Sequence, residues 1–304
     1  MATAFQMAAD GYFPRESSLL RRVQEERAVG LIFGQRALML GAMTSPLAYY
    51  GTAAHTTGKL KPFKRLTHTA QMFEAVFFGT TEEADQALAF VRRLHERVKG
   101  RTAHDLGPWP AGTPYSALDP DLMLKGVVAP TFDSAHVLYE ALVGRLSDAE
   151  REQMWHEYLR FGELFGMPAG AAPASFGEFR SWWAAHLAGE EVLLTEEARL
   201  AGYETGFGIP VPLVNRPGMA GIEFLLRGTL PPRARELYGI SWSWADQRAF
   251  DTLALAIRRG APLAPGRLRR GSCNFFFELV ARTERKRIAA GHGGDMFQPQ
   301  APNP

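Results

Sequence analysis

The sequence predicts one all-α domain, a single-domain helical bundle, and three observations carry that reading. Apolar residues recur at helical spacing through most of the chain, alternating strand patterns bounded by turn residues are scarce, and no Pro/Gly-rich stretch is long enough to separate two domains. With 304 residues and 46% apolar content, the chain can bury one large core. The domain is placed at 1–290. The remainder, 291–304, reads as a disordered tail, because GHGGDMFQPQAPNP has no apolar period.

In chain order, residues 16–50 read as two helical stretches, and Thr52 to Pro62 as a loop carrying Gly58. Helices follow at 63–78 and 81–99, and then RTAHDLGPWPAGTPYS is a Pro/Gly-rich connection. Helical spacing resumes at 119–144 and 147–166, and again after MPAGAAPAS at 175–188 and 195–205. GIPVPLVNRPGMAG is irregular, and helices are expected beyond it at 218–227, 231–238, 243–259 and 271–290.

The 81–99 helix is the best defined. Thr80 and Glu83 form a capping-box pattern, Glu82 adds negative charge at the positive end, and Lys99-Gly100 suit the other end. Ala84, Leu88, Val91, His95 and Val98 fall at steps of four and three, so His95 belongs to the apolar stripe. On the preceding helix, KRLTHTAQMFEAVF, the stripe is Arg65, Thr69, Met72 or Phe73, and Val76, with His68 beside it. An inward guanidinium needs an anionic partner, and no acidic residue on that helix lies three or four positions from Arg65. The partner is then a distant carboxylate or a bound anion.

Composition excludes several classes. Lys plus Arg number 34 against 32 Asp plus Glu, so no strong field advertises nucleic acid or an anionic membrane. The single Cys273 excludes an internal disulfide and any Cys-rich zinc or iron–sulfur site. MATAFQMAADGYF lacks the pattern of a signal peptide, and the apolar run AVGLIFGQRALMLGAM is interrupted by Gln35 and Arg36. No membrane span is expected, and the localisation expected is cytoplasmic. Motif chemistry is equally sparse. No histidine has Glu three residues before it, His95-Glu96 does not extend to H-E-x-x-H, GISWS misses the serine-hydrolase elbow, and GYETGFG lacks a strand–turn–helix frame. Lys59, Lys61, Lys64 and Arg65 read as solvated surface, His186–Glu190 as a surface pair, and His136 and His156 as structural. Trp182-Trp183 and Trp242/Trp244 read as core or rim packing.

For His95 two readings stand: a core histidine bonded to a carbonyl, or a metal ligand alone on its helix. The second suits haem, where the porphyrin supplies four nitrogens and the protein one imidazole. Arg65 would then pair with a propionate or face an oxygen-derived anion.

FKRLTHTAQMFEAVFFGTTEEADQALAFVRRLHERVKG, residues 63–100, resembles the catalytic-domain family that unites latex-clearing protein, a rubber oxygenase, with the fungal mycophenolic-acid oxygenase MpaB. The matching residues are Arg65, Thr69, Phe78-Gly79, Glu83-Ala84, His95, Val98 and Gly100, with weaker similarity over about 28–255. The resemblance implies a globin-like haem-binding core in which His95 is the proximal ligand of haem b and Arg65 and Thr69 line the distal side. His68 stands where the rubber oxygenase has a lysine that can take the distal iron position, so it either ligates iron or hydrogen-bonds dioxygen. A His-Pro pair of the family is here Ser45-Pro46, and a Trp-Val-His stretch is Gly126-Val127-Val128. Both exchanges remove bulk from the pocket. The function implied is oxidation of an apolar small molecule, isoprenoid-like in the family's best-known chemistry, with O2 bound at iron held by His95. Without an export signal, a polymeric extracellular substrate is not expected. A haem-binding sensor or carrier, and a haem-free helical ligand-binding protein, are the alternatives.

Overall fold

Two backbone breaks divide the first helical region into three helices: α1 (Leu19–Glu25), α2 (Arg27–Thr44) and α3 (Pro46–Ala54). At the first break Glu26 is extended, with ψ 113°, and its buried carboxylate meets Arg270 Nε at 2.7 Å. At the second, Pro46 disfavours helical geometry at Ser45 (φ −139°, ψ 71°) and occupies the first turn of α3, where a missing N–H is harmless. Periodicity predicts two stretches where there are three helices, because apolar spacing carries on across a break. The structure, a computed structural model, describes residues 11–55 and 62–289, with the side chains of 62–66 and 287–288 outside that description. The tail expected at 291–304 lies outside the described residues, as do Lys59 and Lys61.

An antiparallel helix pair follows, α4 (Pro62–Phe78) and α5 (Thr81–His95). The Pro/Gly-rich connection then holds a small antiparallel hairpin that the sequence did not announce, β1 (Lys99–Arg101) with β2 (Pro114–Ser116), Gly100 facing Tyr115. The 119–144 segment is α6 (Pro120–Met123), a π-helical turn (Leu124–Val128) and α7 (Ala129–Leu142). Beyond lie α8 (Asp148–Leu164), α9 (Phe176–Ala188), α10 (Glu196–Phe207), α11 (Arg216–Thr229) and α12 (Pro232–Leu237). The chain continues through α13 (Trp244–Gly260), α14 (Gly266–Arg269) and α15 (Asn274–Ala289). The all-α reading holds. No helix among the described residues is long and apolar enough to cross a membrane.

Helix α2 is the hub, packed against α1, α3, α7, α10, α11 and α12. It lies close against the π turn, where a Cβ on Gly41 would fall 2.5 Å from the Gly126 carbonyl oxygen. An aromatic core built from α7, α8 and α9 (Phe132, Trp155, Tyr158, Phe161, Phe179) extends through Phe77 into α4, whose ring lies 5.3 Å from that of Phe161. Trp183 joins that core, whereas Trp244 is 79% exposed at the start of α13. Within the hub sits a charge: Arg36, 1% exposed, donates from Nε and Nη2 to Thr229 O (3.1 and 2.9 Å) and from Nη1 to Ser134 Oγ (3.0 Å). Asp133 Oδ2 lies 2.8 Å from Nη1 and neutralises it. One guanidinium thereby ties α2 to α7 and to the end of α11.

Candidate functional site

The four residues singled out in the sequence belong to the α4–α5 hairpin. Its connection is Gly79-Thr80, and the capping box forms as expected: Glu83 N–H donates to Thr80 Oγ1 (3.2 Å) and Thr80 N–H to Glu83 Oε2 (2.8 Å). At 1.5 Å per residue, Arg65 (13 residues before Phe78) and His95 (14 after Thr81) each lie about 20 Å along their helices from the connection. Both stand at the same end of an antiparallel pair. His68 and Thr69 lie about one turn nearer the connection.

The stripe on α5 holds. Ala84 and Ala87 are buried, and Leu88, Val91, His95 and Val98 are half-buried between exposed neighbours. His95 is, however, the last residue of α5 rather than a member of its penultimate turn, because the chain leaves the helix for β1. Burial alone pushes its imidazole below the ordinary histidine range; no hydrogen bond and no charge contributes. The ring is therefore neutral at pH 7, the form that ligates a metal. The next residues are fixed by Tyr115. Its ring fills the space above Gly51 of α3 and Gly100 of β1, where a Cβ would come within 2.8 and 2.7 Å, and its hydroxyl meets His55 Nε2 at 3.3 Å.

Helix α4 departs from the expected orientation. Thr67, not Thr69, faces inward: it is 8% exposed and donates to Phe277 O of α15 (3.3 Å). His68 and Thr69 are exposed. The reason is that the first half of α4 leans on α15, and contact with the aromatic core starts only at Phe73, whose ring is 5.4 Å from Phe161. Thr69 is thereby turned out to one side of α15. Arg65 is placed in α4, but its side chain is outside the described residues, so its expected anionic partner is too.

Among the described residues the hub helix is left uncovered at Gly34 and Leu38. From Ile32 to Thr44 every residue is buried except Gly34, Leu38 and Gly41; Leu38 is 40% exposed, and a Cβ on Gly34 would meet nothing within 4 Å. Beside this strip Phe33 meets Phe73 of α4 at 6.2 Å. Among the described residues no group of three His, Cys, Asp or Glu could hold a metal ion. A lone neutral imidazole suits a group that brings its own equatorial donors, such as haem.

Three other histidines have structural partners. His186 Nε2 reaches Thr44 O (2.9 Å) and not the expected Glu190, and His156 Nε2 reaches Ala174 O (3.1 Å). His136 stacks on Phe132 at an interplanar angle of 3°. The two family departures noted in the sequence meet in space: a Cβ on Gly126 would lie 3.1 Å from Ser45 Cβ. The lost bulk is taken up by backbone approach between the π turn and the α2–α3 corner. Sequence reasoning missed the buried Arg36–Asp133 pair. The available signal was Arg36 itself, a charge inside the longest apolar run.

Residues 21–259 match the family described as ER-bound oxygenase mpaB/B'/Rubber oxygenase, catalytic domain. An uncharacterized protein of Mycobacterium bovis and one of Mycobacterium tuberculosis are each 28% identical over 208 residues, 68% of this chain and 77% of theirs. No solved structure matches the chain.

Proposed function

This chain belongs to the ER-bound oxygenase mpaB/B' and rubber oxygenase catalytic-domain family, and from that premise we propose that it is a haem-b-dependent oxygenase of an apolar small molecule. The observation that carries the reading is His95, a half-buried imidazole, kept neutral by burial and without a contributing hydrogen bond, at the same end of the hairpin as Arg65. Haem, when bound, supplies a redox iron at which dioxygen is activated.

The chain's own residues divide the remaining work. His95 holds the iron through one ring nitrogen, and its hydrophobic stripe keeps water from that nitrogen. Arg65 would offer a permanent cation to an anionic group of the cofactor or the substrate. Thr69 and His68, exposed on α4 one turn away, orient the substrate or hold a proton at the hydroxyl or imidazole nitrogen. The open strip at Gly34 and Leu38 supplies apolar surface for the macrocycle or the substrate.

The test is spectroscopic. Protein purified after haem-supplemented expression is expected to show a Soret band, and His95→Ala to lose it while keeping its helical circular dichroism. No Soret band in the parent protein, or full haem retention by His95→Ala, overturns the assignment. Oxygen consumption by the reduced protein with a panel of apolar alkenes then separates an oxygenase from a carrier.

A further inference from the structure

Between Asp251 and Glu278 the chain carries no acidic residue and five arginines, Arg258, Arg259, Arg267, Arg269 and Arg270. At the centre of this stretch GAPLAPG, residues 260–266, is free of charge and leads from α13 to α14. Pro262 and Pro265 restrict its backbone, and a short 3-10 turn (Ala261–Leu263) leaves Leu263 87% exposed. Against that turn packs α14, whose Leu268 is 60% exposed. Arg27 Nη1 donates to Leu268 O (3.2 Å), and the same guanidinium lies 5.5 Å from the ring centre of Phe275, which is 55% exposed. Three bare apolar side chains thus stand among the arginines.

Most of that positive charge is uncompensated. Glu26 serves two of the five, with Oε1 2.7 Å from Arg270 Nε and Oε2 3.3 Å from Arg269 Nε. Among the described residues Arg258, Arg259 and Arg267 pair with no carboxylate. Arg27 and Glu74, both felt by the Cys273 thiol, offset each other. Five positive charges less one negative leave a local excess of four, which the net charge of +2 for the whole chain conceals. Apolar tips between cations match the layers of an anionic bilayer surface: the tips enter below the headgroups, and the guanidinium groups bind phosphate at their level. A nucleic acid would pair with the arginines and leave the leucines in water. We propose that this face docks the protein peripherally on a membrane rich in anionic phospholipid, with Leu263 as the inserted residue. The docking stands whether or not His95 holds haem.

The full-length protein is floated with vesicles of phosphatidylcholine alone or mixed with phosphatidylglycerol. Co-flotation is expected with the mixed vesicles only, and it should fall as salt is raised. Leu263→Ser, at a side chain that supports no core, should weaken vesicle affinity about tenfold. Arg259→Ser/Arg267→Ser should weaken it about 25-fold, about fivefold for each arginine removed. Retention on heparin, measured on the same variants, should fall in the arginine variant and stay unchanged in Leu263→Ser. Equal co-flotation with both kinds of vesicle, or none with either, overturns the proposal. So does parent-like vesicle binding by Leu263→Ser; with heparin retention lost in the arginine variant, that result would assign the face to a nucleic acid instead. Should Leu263→Ser fail to fold by circular dichroism, Leu268→Ser puts the same question, and parent-like vesicle binding there overturns the proposal equally.

Discussion

The buried pair at the hub allows a prediction whose size follows from geometry. Arg36 Nη1 and Asp133 Oδ2 are 2.8 Å apart, with side chains 2% and 16% exposed. At an effective dielectric constant of about 20 the attraction at that separation is about 6 kcal/mol, and desolvation of the two ions cancels much of it. Asp133→Asn keeps the shape and removes only the charge. Arg36 would then keep its bonds to Thr229 O and Ser134 Oγ while its charge stays buried without a counterion. Because those neutral acceptors still hold the guanidinium, the expected loss is about 3 kcal/mol, the low end for breaking a buried pair. Urea unfolding monitored by circular dichroism measures it. The double variant Arg36→Met/Asp133→Leu, which removes both ions, should recover to within about 1 kcal/mol of the parent protein. A loss under about 1 kcal/mol in Asp133→Asn would refute the reasoning, because solvent or another group must then be neutralising Arg36.

Three further outcomes follow. His136 and His186 both titrate below the ordinary histidine value, chiefly because burial disfavours their charged forms. As pH falls through about 6.5 the unfolded chain gains protons that the folded chain refuses, so stability should drop from there to the lower folded pKa and then level off. The urea midpoint should thus be lower at acid than at neutral pH and the slope shallower in His136→Phe; a midpoint that rises on acidification contradicts this. Gly41→Ala places a Cβ 2.5 Å from Gly126 O and should cost about 2 kcal/mol as the π turn is pushed from α2, whereas an unchanged thermal midpoint would show that the contact yields freely. Cys273 is buried, which raises its thiol to about 11, so a thiol reagent at pH 8 should label it only as fast as the protein opens; immediate labelling of the native protein would contradict that.

Local chemistry made much of the fold legible. The Thr80–Glu83 box and the stripe through Ala84, Val91 and His95 are written in neighbouring residues, and both are found as read. What was not legible depends on distant partners. Glu26 breaks a helix because Arg270 waits for it, 244 residues later in the chain. Thr67 rather than Thr69 turns inward because α15 lies on that side of α4. The β1–β2 hairpin escaped notice because three-residue strands carry too little alternation to stand out from a Pro/Gly-rich connection. For the site, His95 was visible through periodicity and family spacing together. The open strip at Gly34 and Leu38 was not, since a glycine and a leucine in an apolar run look alike whether covered or bare.

The position of His95 at the very end of α5 has a mechanical consequence. A residue in mid-helix inherits stiffness from hydrogen bonds on both sides, but here the onward support comes from the clasp of Tyr115 between Gly51 and Gly100. The imidazole is therefore set by a joint rather than by a rod. Changes at the exposed positions of the segment that joins the two strands, such as Ala103 and Ala111, would reset its height and tilt without altering a core residue, which makes them an economical place to tune this site.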